Sequence, residues 1–308
     1  MPRIATVTMN PTVDLSYEVN KVIPTRKIRG VSERIDPGGG GINVARVFTR
    51  LGGRATCYYV SGGASGTTLD GLLGALPFSC FPMRIAGNSR IGVNIFELET
   101  GLEYRFLPPG PEVAEHEWAA ALHKLEEIDA DYIVASGSLP RGMPADFYAH
   151  ITRLADKKGI KMVLDTSGPP LREGLAGAPV HFVKPNLREF QELVGHELQG
   201  KDQVIEAARE YVTSGRTEII VVTMDVEGAV LVTADDEMFL PAMDVPAKSA
   251  IGAGDSFIAG MLFRLAEGDN VRDAFRFGMA AGSAAMLTVG TELAQPADIE
   301  RLLAEHPA

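Results

Sequence analysis

Ile251-Gly252-Ala253-Gly254-Asp255-Ser256 joins two glycines to a lone carboxylate, and an apolar run over 257–266 follows that reads as a helix. Glycines let a backbone curl tightly. A helix N-terminus then aims several N–H donors and the positive end of its dipole at one point, which suits an anion. A carboxylate beside that point repels an anion. Asp255 makes chemical sense there as a base that takes the proton of a hydroxyl attacking a phosphoryl group. A plain turn with Asp255 as helix N-cap accounts for the same residues, so the rest of the chain must separate the two.

Asp36-Pro37-Gly38-Gly39-Gly40-Gly41-Ile42-Asn43 holds a second glycine run that opens straight into a helical pattern. Gly38, Gly39 and their neighbours leave bare backbone for a polar ligand to approach. Asn43, on the first turn, both donates and accepts hydrogen bonds, as sugar hydroxyls require. No Gly-Lys-Ser/Thr follows and no G-x-G-x-x-G is present, which disfavours P-loop and dinucleotide-binding readings. A third stretch, Val183-Lys184-Pro185-Asn186-Leu187-Arg188-Glu189, also leaves a strand and opens a helix. Asn186 and Glu189 share a helix face and can organise a hydrated magnesium ion. Taken alone, a capping box is the simpler account of that pair.

These stretches need a scaffold. Short β-rich runs at 4–8, 55–60, 132–135, 162–165, 181–183 and 218–223 alternate with helical patterns at 41–51, 67–76, 115–128, 145–158, 187–194, 202–214, 255–267, 271–288 and 296–304. Such alternation predicts a layered α/β fold on a largely parallel sheet. No repeat or linker interrupts it, so 1–308 reads as a single domain. Hydrophobic residues make up 45% of the chain, ample for a buried core.

Four segments, 13–19, 27–35, 90–98 and 102–108, break the alternation and read as strands of period two, the last two joined by the turn Glu99-Thr100-Gly101. Asp14 and Ser16 share one face opposite Val13, Leu15 and Tyr17. Lys27 and Arg29 share a face, as do Arg90, Gly92 and Asn94; Glu103 and Arg105 lie opposite Leu102, Tyr104 and Phe106. The expectation is a small sheet, its strands drawn from about 12–35 and 90–108, with one charged and one apolar face. If the charged face covers a cleft, the apolar face looks outward, and a second copy of the chain must cover it, lid on lid.

A net charge of −11 argues against a nucleic-acid partner. Any anionic ligand must meet a local cationic cluster, and Lys27, Arg29, Arg90 and Arg105 are the candidates. The two cysteines, Cys57 and Cys80, have no zinc-ligand spacing and read as small apolar residues in a reducing cytosol. The N-terminus lacks a signal-peptide pattern, and the nearly apolar stretch 277–289 is too short to span a bilayer. The expectation is a soluble cytoplasmic protein with no membrane partner.

Pro37–Ala45, Asn186-x-x-Glu189 and Ser249–Phe257, far apart and in that order, resemble the signatures of the ribokinase-like (PfkB-type) carbohydrate kinases along nearly the whole chain. Thr8–Asp14, Tyr104-Arg105-Phe106 and Ser136-Gly137-Ser138-Leu139-Pro140 are similar to its hexose-phosphate branch: minor-type 6-phosphofructokinase, 1-phosphofructokinase and tagatose-6-phosphate kinase. The resemblance implies a ribokinase-like three-layer α/β/α fold with a mostly parallel central sheet and a small β-sheet lid. It implies ATP as co-substrate with Mg2+, and Asp255 as base within an anion hole of Gly252, Ala253 and Gly254. Asp14, Gly38, Gly39 and Asn43 would hold the sugar; Lys184, Asn186, Glu189, Thr223 and Gly228 would lie near the nucleotide or metal. The cationic lid favours a phosphosugar, with fructose 6-phosphate to fructose 1,6-bisphosphate the leading reaction. Two positions depart from the family pattern. Gly92 stands where the branch often has Asn, with Asn94 one step further on the same face as a candidate substitute. Asp225 replaces the first glycine of the family's Ser/Thr-x-Gly-x-x-Gly, and it alone invites the reading of a sensor that binds without turnover.

Overall fold

The computed structural model describes residues 1–307. The chain begins with β1 (Arg3–Thr8), β2 (Thr12–Val19), β3 (Ser32–Gly38), α1 (Gly40–Arg50), β4 (Arg54–Ser61), α2 (Gly63–Gly74), β5 (Ser79–Arg84), β6 (Arg90–Glu97), β7 (Glu103–Phe106) and α3 (Glu115–Leu125). It continues with β8 (Tyr132–Ser136), α4 (Phe147–Lys158), β9 (Lys161–Asp165), α5 (Gly168–Gly177), β10 (Val180–Val183), α6 (Leu187–Val194), α7 (Gly200–Thr213) and β11 (Thr217–Thr223). A 3-10 turn (Asp225–Glu227), β12 (Ala229–Val232), β13 (Glu237–Leu240), α8 (Ala253–Glu267), α9 (Val271–Met286) and α10 (Pro296–Glu305) complete the order.

Nine strands form the main sheet in the order β13-β12-β11-β10-β9-β8-β1-β4-β5. It is parallel from β11 to β5, with β12 and β13 added antiparallel at one edge. Helices cover both faces, as parallel strands require. On one side Phe147, Ile151, Leu175 and Val204 pack on Val7, Ile133 and Val222; on the other Phe48, Phe257, Phe275 and Ile299 pack on Ile4, Val134 and Val221. All six expected core strands are present. The edge strands escaped notice because β5 carries Pro82, tolerated only at an edge, and β12–β13 is a short hairpin. α5 is not among the expected helices; it starts at Gly168-Pro169-Pro170, with proline in its first turn, where a missing N–H costs nothing.

The Gly- and Ala-rich sequence of α9 has a packing reason. A Cβ on Gly260 of α8 would lie 2.6 Å from that of Ala281, so the two helices meet almost backbone to backbone. This seats α8, whose N-terminus carries Asp255. Among the described residues no helix is long and apolar enough to cross a membrane. Cys57 and Cys80 face each other across β4 and β5 as free thiols; Cys57 is buried and Cys80 only half-buried.

The second sheet, in the order β3-β2-β6-β7, is the expected lid. Its register places Asp14, Asp36, Ser16, Arg34, Gly92, Asn94 and Arg105 on one face. Val13, Leu15, Ile35, Ile91, Val93 and Phe106 occupy the other. One expectation fails. The segment expected over 27–35, β3, begins at Ser32, not at 27, because β2 ends at Val19 and earlier residues have no strand to pair with. Lys27 and Arg29 therefore lie in the exposed connection 20–31 and do not share the lid's charged face.

Candidate active site

Between the lid's charged face and the C-terminal ends of the main strands lies a cleft of about 410 Å3. Ligands of open α/β sheets bind at this end because strand termini and helix N-termini converge there. The start of α8 forms its floor. Gly252 precedes the helix at φ 73°, and a Cβ there would overlap Leu293; only glycine fits both constraints. The helix begins at Ala253, so Asp255 stands in its first turn and is not the N-cap. The N–H groups of Gly254 and Asp255 precede the first helical hydrogen bond, from Ser256 N–H to Gly252 O at 2.9 Å, and so are left without a helical partner at this end.

Asn43, in the first turn of α1, donates from Nδ2 to Asp255 Oδ2 at 2.9 Å and accepts from Arg46 at its own Oδ1. It therefore bridges the two glycine-rich helix starts. Gly40 makes this possible, since a Cβ there would overlap Ser136 Oγ and lie 3.1 Å from Asp255 Oδ1. Burial pushes the Asp255 carboxyl up to about 6, and the nearby charge of Asp165 adds to it; Asn43, Lys184 and Arg105 oppose the shift.

Asp14, Gly39, Arg90 and Arg105 line the opposite wall with Thr12. Gly38 lies behind Asp14, whose carboxylate a Cβ at that position would overlap. Burial raises the Asp14 carboxyl, with Arg105 and Arg90 acting against it. Arg90 is anchored at the lid's root, donating to the carbonyls of Asn10 at 2.6 Å and Pro108 at 3.2 Å. Lys27 and Arg29 do not reach this cleft within one chain.

On the far side, Asn186 and Glu189 form the capping box: Asn186 Oδ1 accepts from Glu189 N–H and Glu189 Oε2 accepts from Asn186 N–H, both at 2.9 Å. Glu189 still lines the cleft, while Asn186 does not. The Asn186 oxygen is spent on the cap, so Asn186 orients Glu189 instead of facing the cleft itself. Thr223 bridges to Asn186 as in a parallel strand pair, and Gly228 closes the turn after it. Lys184 is buried, 3.1 Å from where a Gly254 Cβ would stand. Ser136 and Asp165, which end β8 and β9, also line the cleft. Neither belonged to the expected site residues; Ser136 stood only as the first residue of the family-like stretch Ser136–Pro140, and Asp165 only as a charged residue closing the apolar run Met162-Val163-Leu164.

Residues 7–298 match the pfkB family carbohydrate kinases. The chain belongs to this family. It is 38% identical over 312 residues to the ATP-dependent 6-phosphofructokinase isozyme 2 of Mycobacterium tuberculosis, covering 99% of this chain and 91% of that one. It is 33% identical over 318 residues to the 1-phosphofructokinase of Rhodobacter capsulatus, covering 98% and 95%. Its structure matches phosphofructokinase-2 from Escherichia coli in complex with fructose-6-phosphate with a TM-score of 0.92, at 35% identity and 99% coverage of each chain. The fold is thus ribokinase-like, and the protein is a carbohydrate kinase that passes a phosphoryl group to a sugar hydroxyl with ATP as co-substrate.

The kinase's two departures from the family pattern acquire physical content. A Cβ at Gly92 would lie 2.8 Å from Asp14 Oδ1, so the small residue lets the carboxylate close on the strand. Asn94 does not take over from position 92: it is buried away from the cleft and lines a separate cavity with Ser16 and Gly290. Asp225 adopts φ 48°, the left-handed conformation that glycine supplies and aspartate tolerates. Its side chain is exposed and outside the cleft, so the turn keeps its shape without a carboxylate on the cleft wall.

An ionised Asp255 is costly to the fold. With its carboxyl raised to about 6, the folded state holds a proton that the unfolded chain releases near pH 4. The stability cost is therefore absent below pH 4 and complete above about 6. Asp255→Asn is expected to lower kcat by about 10^3-fold or more while stabilising the fold at pH 8 by on the order of 1–3 kcal/mol. Thermal melts from pH 4 to pH 8 check the second half: the gain must vanish at the acid end.

Proposed function

We propose that this chain transfers the γ-phosphoryl group of ATP to fructose 6-phosphate, giving fructose 1,6-bisphosphate. The observation that carries this reading is one cleft that pairs a raised carboxylate at a helix N-terminus with two guanidinium groups on the covering sheet, Arg90 and Arg105. A phosphate ester brings about two negative charges near neutral pH. On a chain of net charge −11 they must be met locally. An unphosphorylated sugar needs no such clamp. The 6-phosphofructokinase relative, at 38% identity against 33% for the 1-phosphofructokinase, points to the same substrate.

In this reading Asp14, Gly39 and Asn43 hold the sugar hydroxyls, with Gly38 behind them. Arg90 and Arg105 hold its phosphate. Asp255 takes the proton of the attacking hydroxyl; at about 6 its carboxyl is largely ionised at neutral pH yet more basic than an ordinary aspartate. The unpaired N–H groups of Gly254 and Asp255 and the Lys184 ammonium face the phosphoryl group as its charge develops, whereas the Ala253 N–H is taken by the Ala250 carbonyl at 3.3 Å. Lys184, Asn186, Thr223 and Gly228 border the nucleotide. The residues present also fit magnesium: burial raises the Glu189 carboxyl, and the neighbouring Asp165 raises it further, a state that a hydrated cation relieves. Glu189, fixed by Asn186, would hold the ion through water, and the ion would neutralise charge on the nucleotide phosphates. Cys57 and Cys80, unbridged though opposite each other, suit a reducing cytoplasm.

The lid's outer face supports a homodimer. Ile35, Ile91 and Phe106 are 43%, 44% and 60% exposed on it, with Ile28, Val31, Leu98 and Leu102 around them. A contiguous apolar surface of this kind marks an interface, and a self-complementary one closes as a two-fold pair.

ADP release measured over fructose 6-phosphate, fructose 1-phosphate, tagatose 6-phosphate and fructose tests the function. Fructose 6-phosphate is expected to give the highest kcat/KM, with free fructose about 10^2-fold or more below it. A preference for fructose 1-phosphate overturns the substrate, and no ADP release with any sugar overturns the kinase reading in favour of binding without turnover. Arg105→Ala is expected to raise the sugar-phosphate KM about tenfold or more while changing the ATP KM less than about twofold; equal changes dispose of the clamp. Phe106→Asp is expected to shift the protein from dimer to monomer in sedimentation, and an unchanged mass disposes of the lid interface.

A further inference from the structure

Three neighbouring strand ends place three side chains in a row above the start of α8. Ser136 ends β8, Asp165 ends β9 directly opposite it in register, and Lys184 follows β10. Ser136 Oγ donates to Asp165 Oδ2 at 3.0 Å, and Asp165 Oδ1 lies 3.5 Å from Lys184 Nζ. The Lys184 ammonium in turn stands against Gly254, within the first turn of α8. Asp255 is the next residue. Its one recorded side-chain partner is the Asn43 amide. Two carboxylates thus compete for one buried ammonium, and the structure pairs it with Asp165.

We infer that Asp165 is a positioning residue of the phosphoryl-transfer site, which holds Lys184 against the anion hole and so leaves Asp255 without a cationic partner. The inference rests on the reading of Asp255 as the base. The physical reason is that a buried ammonium takes a carboxylate partner wherever one is in reach. A base that forms that pair loses its basicity, because an adjacent cation favours the ionised form. Asp165 resolves the conflict by supplying a second carboxylate that is not asked to accept a proton. Ser136 fixes its outer oxygen, and Gly40 leaves room for Ser136.

The charged groups that bear on Asp255 are Asp165 from β9, Lys184 after β10 and Arg105 from β7. Asp14 from β2, Arg90 from β6 and Glu189 from α6 line the same cleft. Burial and Asp165 hold the Asp255 carboxyl up, while Lys184 and Arg105 pull it down. Replacing Asp165 by a neutral amide removes one upward influence and frees Lys184 to turn to Asp255. Both changes act in the same direction.

The test is the pH profile of kcat/KM for the sugar phosphate at saturating ATP and magnesium. The wild type is expected to lose activity as pH falls through about 6. In Asp165→Asn that acid limb is expected to move down by about one unit or more, with kcat at pH 8 reduced about tenfold or more and KM for the sugar phosphate within about twofold. A residue with a merely structural role would lower activity without moving the limb. If Asp165→Asn does not fold, Lys184→Met carries the test: with the ammonium gone the limb must move up. A limb that stays in place in the folded variant overturns the inference. So does a raised magnesium requirement with an unmoved limb, which would assign Asp165 to the metal. Asp255→Asn separates the two levels: if it keeps near wild-type turnover, the base reading itself fails, whereas an inactive Asp255→Asn with an unmoved Asp165→Asn limb sinks only the role of Asp165.

Discussion

The interaction on which the rest of the site depends is the burial of the Asp255 carboxylate at the start of α8, where its recorded side-chain partner is the Asn43 amide and not a cation. Enclosure alone would favour the protonated form, and an ion pair would remove the basicity. The first turn of α8 offers an intermediate solution. Its dipole and the Asn43 amide stabilise the ionised form weakly, while burial and Asp165 keep it from becoming too stable. The glycines around it follow from this. Gly40 and Gly252 are positions where any side chain would displace Ser136 or Leu293, and with them the neighbours that tune Asp255.

The lid is bound to that same constraint through a second buried charge. Asp36, near the end of β3, pairs with Arg34 at 2.6 Å and with Arg46 at 3.6 Å, and accepts from Thr291 Oγ1 at 3.0 Å. Arg46 also donates to Asn43, which holds Asp255. A chain of polar contacts therefore runs from the base of the lid through α1 to Asp255 at the start of α8. The register of β2 and β6 then carries Asp14, Arg90 and Arg105 over the cleft at fixed height. Position in this protein is inherited from strand pairing and from a few buried ion pairs, not from the loops.

Much of this was legible in the chain because it is local. A helix start beside glycines, a period-two lid strand and an apolar core strand each show themselves within ten residues, and the six central strands and most helices stand where their patterns place them. What was hidden depends on partners distant in sequence. Ser136 opens a family-like stretch, but its partnership with Asp165 exists only once β8 and β9 lie side by side. The segment 27–31 has a strand's alternation but no strand to pair with, which only the length of β2 decides. Asn94 shares a face with Gly92, yet it lines another cavity, with Ser16 and Gly290. Asp225 replaces a glycine of the family pattern, and its positive φ shows it filling that glycine's backbone role.

Asn43 and Asn186 show why structural and functional readings of one residue need not compete. Asn186 and Glu189 form a full capping box, the simpler of the two accounts of their spacing. That cap is what fixes Glu189, by one oxygen, at the rim of the cleft. Asn43 looked suited to a sugar because an amide both donates and accepts. In the fold it gives its donor to Asp255 and its acceptor to Arg46. Beside the sugar contact proposed for it, it thereby holds the Asp255 carboxylate in one orientation across 212 residues of sequence. In both cases an ordinary helix-start interaction restricts a carboxylate to one rotamer. Such restriction is worth more to phosphoryl transfer than an added contact, because the reaction is governed by where the groups stand.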